Sequence, residues 1–408
     1  MRTSETFDWI VIGGGIHGTY VARELLEAGV PAESLAIVDS YGTLCESFRQ
    51  KARTCGMETL RSNYVQHVGP SPFGLEQFAS ARDRENELVP TRNSQPRPTL
   101  DLFLDYTEHV IDRFDIGDAV REATVTGLDR EDGRIAVETT TDLLRAQRVV
   151  LAVGPGERFR RPEWAGNRDR IEHVWDEYAL PTDRIESGER VWVVGGGTTA
   201  GQFATAIADH AQSVDLCTRR PLEVALREAD PVWLNWKRIS QEIHTLPPGS
   251  RARYERIREA RNDGTVPPYL ERELDAARNV TVRHDNIRTV ADTDDGLLVS
   301  CRSGQCMRVD RIFLATGFEP VFDHPFVGAL AASLSLARGH RGMPMLDDQT
   351  LRWETTAGKE SAVAVTGKLA EGSVGPFAGN LPGARRAAER IVPDRPSQSP
   401  QRAGAVSD

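Results

Sequence analysis

Short apolar runs, glycine turns and amphipathic stretches alternate along this chain. Residues 8–12 form an apolar run that enters Gly13-Gly14-Gly15-Ile16-His17-Gly18. Val21, Leu25 and Leu26 then recur at helical spacing, Gly29 supplies a stop, and a second apolar run, 35–38, ends at Asp39. The order is strand, tight turn, helix, strand. It returns at 191–194, which enters Gly195-Gly196-Gly197-Thr198-Thr199-Ala200, followed by a small-residue helix to about Ala211 and a strand over 213–217.

Between these units, residues 41–98 are rich in Arg, Ser, Pro and Gly and read as loops with short helices. Residues 100–114 read as an amphipathic helix. Three strands are predicted at 123–128, 134–139 and 147–153, with Asp132-Gly133 as a hairpin turn, and so an antiparallel three-stranded insert. A polar connector with prolines at 155, 162 and 181 fills 155–189, and 222–278 is charged and mostly helical, broken by Pro247-Pro248 and Pro267-Pro268. Strands return at 280–282, 297–301 and 307–314, with Ser303-Gly304 as a turn, and at 361–366, ending at Gly367. A helix is predicted over 381–391, and the Pro- and Ser-rich tail from Pro393 reads as disordered.

The chain has 408 residues, enough for two or three domains, and its composition is that of a globular protein. The net charge of −10 argues against a nucleic-acid partner, and no apolar run approaches the roughly 18 residues of a membrane span. Acidic residues come early and no cleavage site follows, which predicts a cytoplasmic location without a leader. Five cysteines, none in a C-x-x-C pair, argue against a disulfide scaffold or a dithiol active site; Cys301 and Cys306 flank a hairpin turn, and whether they pair is left open. No metal site is expected. Oligomeric state, including a homo-oligomer, is left open.

The first glycine cluster fits G-x-G-x-x-G. Gly13 allows the tight turn, Gly15 lets the backbone approach a pyrophosphate, and Gly18 lets helix and strand pack closely. The helix start then offers free N–H groups to phosphate, and Asp39, about 20 residues on, stands where a carboxylate accepts ribose hydroxyls. The second cluster fits G-x-G-x-x-A with Gly195, Gly197 and Ala200, and Thr198 opens its helix. Where an acid would follow its second strand stand Thr218, Arg219 and Arg220. Guanidinium groups there bind a 2′-phosphate, which favours NADP(H) over NAD(H).

With Ala315-Thr316-Gly317 after one strand and Leu151-Ala152-Val153-Gly154 after another, the chain resembles the two-dinucleotide-binding-domain flavoproteins over about residues 7–392. The resemblance implies an α/β fold of two Rossmann-like three-layer domains, the second inserted into the first. An FAD domain would span 1–157 and 311–392, an NADP(H) domain 158–310 with a helical insert at about 222–278, and a disordered tail 393–408. FAD would meet Gly13, Gly15, Gly18, Asp39, Gly154 and Gly367; NADP(H) would meet Gly195, Gly197, Thr198, Arg219 and Arg220. One departure stands out: the family places Gly-Asp after the last strand, and this chain has Gly367-Lys368. Lys368 is either a cationic replacement or a solvent-facing side chain. The helix after Asn380 would still aim its N-terminus at the pyrimidine end of the flavin.

Trp164-Ala165-Gly166, His173 and Tyr178 partly match the fingerprint of N-hydroxylating and Baeyer–Villiger monooxygenases, with the His too far from the Gly. The chain is similar to lysine/ornithine N-monooxygenase-like and urate-hydroxylase-like flavoproteins. That implies an FAD-dependent NADPH oxidoreductase hydroxylating a small nucleophilic substrate with O2 through a flavin hydroperoxide. Asn63, within Leu60–Tyr64, is the candidate catalytic group beside the ring, with Lys368 as the second. An NADPH-dependent flavin reductase of a quinone or protein partner, or a redox-responsive binding module, is the alternative. Segments 41–98 and 222–278 are expected to line the substrate's site. His17 reads as a tolerated polar residue, His67 is left open, Trp233 and Trp236 read as an apolar helix face, and the arginines of 251–261 as a solvated one.

Overall fold

Strand Ser4–Ile12 pairs in parallel with Leu35–Asp39 on one side and Leu143–Leu151 on the other, in a computed structural model that describes residues 4–92, 94–262 and 264–392. Helix Ile16–Glu27 carries the chain between the first two. Leu143–Leu151 takes Glu360–Val365 on its far edge, again in parallel, and Arg352–Glu354 closes that side antiparallel. Val120–Glu122 lies at the other edge. Across this sheet Ile12 faces Val38 and Leu151, and Leu151 faces Val365, so four parallel strands end level. Gly13, Asp39, Ala152 and Thr366 follow them directly. The predicted tail, 393–408, lies outside the described residues.

The three predicted strands after helix Leu100–Arg113 form Val125–Glu131, Arg134–Thr139 and Leu143–Leu151, turning at Asp132 and Gly133 with φ of 49° and 78°. Two successive positive φ values make the tight hairpin turn that Asp-Gly favours. The third strand departs from a self-contained insert: its length lets it pair antiparallel with the hairpin and parallel with Ser4–Ile12.

The second sheet is fully parallel, in the order Val280–His284, Ser213–Thr218, Arg190–Val194, Arg311–Leu314, Ile171–His173. Helices Thr198–Ile207 and Pro268–Ala276 cover one face through Phe203, Ile207, Leu270 and Leu274 against Val191, Val193 and Phe313. An antiparallel trio, Ile287–Thr293, Gly296–Cys301 and Cys306–Val309, covers the other with Leu297 and Val299 against Trp192, Ile312 and Leu314. Alternate residues of one strand thus serve two cores, as a buried parallel sheet requires.

Three expectations change here. Arg311–Leu314 belongs to the second sheet, so that unit runs past residue 310. The predicted strand 307–314 is two strands, split at Asp310, whose carboxylate takes the Arg190 N–H at 2.7 Å and its guanidinium at 2.8 Å. The polar connector contains an edge strand, Ile171–His173.

The insert 222–278 is clamped onto the last part of the first unit. Arg253, 1% exposed, pairs with Asp348 at 2.8 Å and bonds the Gly372 carbonyl at 3.0 Å. His244 meets the Ser373 carbonyl at 2.8 Å, Arg261 donates to the Pro376 carbonyl at 2.9 Å, and Arg390 lies 3.2 Å over the Trp236 ring. The 251–261 helix is therefore not simply a solvated face, because Arg253 finds an acid and carbonyls inside. Trp233 and Trp236 also separate: Trp233 closes in a short 3-10 turn, and Trp236 starts the next helix.

Candidate functional site

Each glycine of the first turn meets a different constraint. A Cβ on Gly13 would sit 2.5 Å from the Ala152 carbonyl oxygen, and Gly13 holds φ +103°. A Cβ on Gly18 would run into the Gly13 carbonyl oxygen, so helix and strand touch there. Gly15 faces open space, with nothing within 4 Å of its Cβ position. Tightness at two positions and vacancy at the third are what a phosphate cradle at a helix start needs. Asp39 accepts the Gly14 N–H at 2.6 Å on one carboxylate oxygen and the Tyr41 N–H at 2.9 Å on the other.

Gly154 (φ +60°) and Gly367 (φ +72°) stand at the same sheet edge, Gly154 facing open space. The His17 ring lies 3.8 Å from the Cβ position of Gly367. His17 Nδ1 pairs with the Thr366 hydroxyl at 3.0 Å, while its buried Nε2 makes no well-formed hydrogen bond and has the Gly379 backbone as its polar neighbour. Burial pushes the His17 imidazole down to about 4, so it is neutral near pH 7. Lys368 is neither a bare cation nor simply solvent-facing: its ammonium pairs with buried Glu371. Burial lowers its pKa while Glu371 pulls it back up. Its stem lies 3.8 Å from the Cβ position of Gly379, just before helix Leu381–Ile391.

Asn63 lies in the 60–64 stretch, which runs beside Pro96 and Pro98 through Tyr64 N–H to Pro96 O at 2.9 Å and Leu60 N–H to Pro98 O at 3.0 Å. The Asn63 side-chain oxygen is buried and unpartnered among the described residues. Such orphaned acceptors are rare in a finished protein. The vacancy at Gly15 and the His17 ring beside Gly367 fit a diphosphate and a polar ring system laid along this edge.

At the second turn, a Cβ on Gly195 would strike the Ala315 carbonyl oxygen, and the Cβ position of Gly197 lies 3.7 Å from the Gly264 backbone. Thr198 opens helix Thr198–Ile207, and its hydroxyl donates to the Thr265 carbonyl at 3.1 Å. Its backbone N–H, rather than its hydroxyl, is left to face a phosphate. Arg219 and Arg220 follow Thr218 and are exposed, with no hydrogen bond or ion pair to either guanidinium among the described residues. Thr218 Cβ is 3.9 Å from the Cβ position of Gly196, so the arginine pair leaves the strand right beside the turn.

Helix Glu46–Thr54 joins the two turns. Cys45, before it, donates its N–H to the Gly14 carbonyl at 2.7 Å; Cys55, after it, lies 3.6 Å from Gln202 of helix Thr198–Ile207. The nine-residue helix between them, ten steps of about 1.5 Å, places the two cysteines about 15 Å apart, beyond disulfide reach. Burial pushes their pKa values up to about 11 and about 12, so both stay protonated. Cys301 is buried, and exposed Cys306 pairs across strands with Ser300 instead, so these two point to opposite faces. All five cysteines are free. Among the described residues no group of three or more His, Cys, Asp or Glu is placed to hold a metal ion, and no helix is long and apolar enough to cross a membrane.

The sequence pattern missed Arg61 and Glu228. Arg61 crosses from the first unit to the second, and Glu228 accepts from the Asn380 side chain at 2.7 Å. Nothing in spacing singles out one arginine among 46. Segments 41–98 and 222–278 do meet: Arg97 stacks 3.5 Å over Tyr269, and Arg227 reaches Ser94 at 3.2 Å. A cavity of about 480 Å³ lies in the insert, its wall including Ala225, Leu226, Trp233 and Arg256. His67 is a packing residue, bonded to Gly69 N–H at 3.0 Å and set edge-on to Tyr106. His173 is fully buried and stacked 4.6 Å from Phe159, where both linkers cross between the sheets.

The fold is shared with an ornithine N-hydroxylase of Kutzneria sp. 744, at 18% identity and TM-score 0.76 over 95% of this chain and 98% of that one. It is also shared with a bacillithiol disulfide reductase of Staphylococcus aureus, at 14% identity and TM-score 0.64 over 95% and 97%. In sequence, neopentalenolactone D synthase of Streptomyces avermitilis is 24% identical over 274 residues, 60% of this chain and 42% of that protein, so the chain spans about two fifths of that curated relative. Residues 10–246, more than half of the chain, match the pyridine nucleotide-disulphide oxidoreductases, and the protein belongs to that family.

Proposed function

We propose that this protein is an FAD-dependent NADPH oxidoreductase that works as a monooxygenase: substrate, O2, NADPH and a proton give hydroxylated substrate, NADP+ and water. One observation carries this reading. Two dinucleotide-type turns are joined by a single short helix, and the thiols at its two ends are buried, protonated and too far apart to form a dithiol. Disulphide chemistry needs a thiolate pair beside the flavin. Oxygen chemistry needs none. The Kutzneria ornithine hydroxylase, described with reduced FAD, NADP+ and L-ornithine, supports the same cofactor pair.

Gly13, Gly15 and the first turn of helix Ile16–Glu27 would take the FAD diphosphate, and Asp39 the ribose, with Gly154, Gly18 and Gly367 shaping the edge. Bound FAD supplies hydride acceptance and oxygen activation. Asn63 offers a neutral amide to the reacting edge, and neutral His17 offers one ring nitrogen without bringing charge. The Lys368–Glu371 pair keeps the approach to helix Leu381–Ile391 from carrying a net cation. Gly195, Gly197, the Thr198 N–H, Arg219 and Arg220 would bind NADP(H). The substrate is proposed to be a small nucleophile entering between segments 41–98 and 222–278. A division into an FAD unit and an inserted nicotinamide unit that runs on through Leu314, together with a cytoplasmic location, belongs to this proposal.

The test is NADPH consumption with peroxide yield across a panel of small nucleophiles, chiefly primary amines. A compound that speeds NADPH oxidation while peroxide falls below the NADPH used supports the reading. Fast consumption with quantitative peroxide for every compound overturns it in favour of a reductase.

A further inference from the structure

We propose that Arg61 is a positioning residue that sets how the second dinucleotide is presented to the first. The proposal rests on the two-cofactor reading above and adds a residue to it. The backbone around Arg61 is fixed to the first unit through Pro96 and Pro98, yet its side chain, 14% exposed, is spent entirely on the second unit and its insert. Nε donates to the Leu226 carbonyl at 2.9 Å. Nη2 donates to the Ala225 carbonyl and the Thr265 hydroxyl, both at 2.7 Å. Nη1 donates to the Thr198 hydroxyl at 3.3 Å and lies 3.7 Å from Glu228. Four of the five guanidinium N–H groups are used in hydrogen bonds, and Glu228 lies on the remaining side of Nη1.

The placement separates this clasp from ordinary interface packing. Thr198 is the first residue of the helix whose N-terminus faces the second diphosphate. Glu228 passes the connection to Asn380, which precedes helix Leu381–Ile391. Asn63 is two residues away. One rigid fork therefore fixes a loop beside the flavin edge, the start of the nicotinamide-cofactor helix and the start of the helix aimed at the ring. Between segments 41–98 and 222–278, Arg97 on Tyr269 and Arg227 on Ser94 also cross, and neither hydrogen-bonds Thr198 or Glu228. Hydride transfer needs donor and acceptor about 3–3.5 Å apart, so an ångström of drift between the units costs about a hundredfold in rate.

The test compares Arg61→Met, Arg61→Lys and Arg227→Ala by anaerobic rapid mixing with saturating NADPH or NADH, and by amide hydrogen exchange over 223–229 and 264–266 without nicotinamide. Arg61→Met should keep its FAD and slow flavin reduction by about thirtyfold or more with either nicotinamide, since the 2′-phosphate is not what the residue serves. Exchange over both segments should rise at least about tenfold. Arg61→Lys should recover part of the rate, and Arg227→Ala should stay within twofold of wild type. If Arg61→Met loses FAD, Arg61→Lys carries the comparison, and its reduction must still be slower than wild type. Reduction within threefold of wild type in the Met variant, or in the Lys variant where that one stands in, overturns the proposal even if exchange rises. A wild type reduced by neither nicotinamide overturns the functional reading instead.

Discussion

Asp39 and Gly14 close the first turn on each other: one Asp39 carboxylate oxygen accepts the Gly14 N–H at 2.6 Å while its partner oxygen accepts from Tyr41 at 2.9 Å. The residue proposed for the ribose thus also holds the turn that receives the phosphates. Asp39→Asn keeps one acceptor and must turn an amide N–H toward a backbone N–H. It should weaken FAD binding and also lower the stability of the apoprotein by about 1–2 kcal/mol. Calorimetric titration of apoprotein with FAD, beside urea unfolding of the same apoprotein, checks both. A ribose ligand with no structural duty would leave the unfolding curve in place.

The glycines separate fold from function. Gly18→Ala drives a Cβ into the Gly13 carbonyl and should cost the apoprotein several kcal/mol, on the scale of overpacking between fixed backbones. Gly15→Val sets its Cβ where no protein atom lies within 4 Å, and it should leave the unfolding midpoint of the apoprotein nearly unchanged while removing most of the bound FAD. The absorbance of purified holoprotein and the thermal midpoint of apoprotein read the two effects independently. Equal destabilisation by both would mean that Gly15 serves the chain and not a ligand.

This turn was legible because its demands are local. Three glycines at fixed spacing, a strand before, a helix after and an acid at the next strand's end leave little else for the residues to do. The same holds for helix Leu381–Ile391 and for the Asp132-Gly133 hairpin. Strand Ile287–Thr293 was not legible. A register irregularity between Ile287 and Thr289 leaves its buried residues, Ile287 and Val290, three apart, which erases the period of two. Arg61 was not legible either: its role arises only when a segment near residue 225 folds back against it. The split at Asp310 and the burial of Arg253 have the same cause, a partner distant in sequence.

Arg219 and Arg220 are exposed and unpaired among the described residues, so nothing in the protein depends on them for packing. Replacing both with Ala should raise the NADPH dissociation constant by tenfold to about a hundredfold, the scale of lost charge-assisted bonds to a phosphate. The constant for NADH should move by less than about threefold. The contrast with Arg61, whose removal is expected to slow both nicotinamides alike, assigns one effect to the 2′-phosphate and the other to placement. Equal losses for NADPH and NADH from the Arg219/Arg220 change would leave the cofactor preference without a residue.

His67 makes stability depend on pH. Its Nδ1 accepts the Gly69 N–H at 3.0 Å and its Nε2 lies 3.3 Å from the Pro72 carbonyl, a neutral tautomer with both sides used. Burial holds its pKa down to about 4; the Pro72 carbonyl pulls up, and Arg23 and Arg385 push further down. In the unfolded chain the same group titrates near about 6.5. Between those values the unfolded state binds the extra proton, so the stabilisation is present above about pH 6.5 and is lost as pH falls toward 4. His67→Asn, which keeps an acceptor for Gly69, should lose about 1–2 kcal/mol less than wild type between pH 7.5 and pH 5. Urea unfolding at the two pH values measures the difference; equal losses would show that His67 is not held neutral.

Asn63 is where a structural role and a functional one predict opposite signs. An asparagine that caps or fastens a loop costs stability when removed, typically about 1 kcal/mol. Here the loop is held by the Leu60 and Tyr64 backbone bonds, and the Asn63 side-chain oxygen is buried with no partner among the described residues. Taking away an unsatisfied buried acceptor removes a desolvation penalty, so Asn63→Ala should leave the apoprotein as stable as wild type or more so. In the holoprotein the same change takes away the amide that can donate and accept beside the flavin edge without titrating. FAD content and the rate of anaerobic reduction by NADPH should stay within about twofold of wild type, because neither a diphosphate contact nor the Arg61 clasp is disturbed. What should change is the fate of oxygen: reduced Asn63→Ala, mixed with O2 in the presence of NADP+, should release peroxide about tenfold faster or more, the range for removing a single stabilising hydrogen bond. Peroxide release at the wild-type rate, together with lost apoprotein stability, would make Asn63 a loop fastener and move the control of oxygen to His17, whose ring lies beside Gly367.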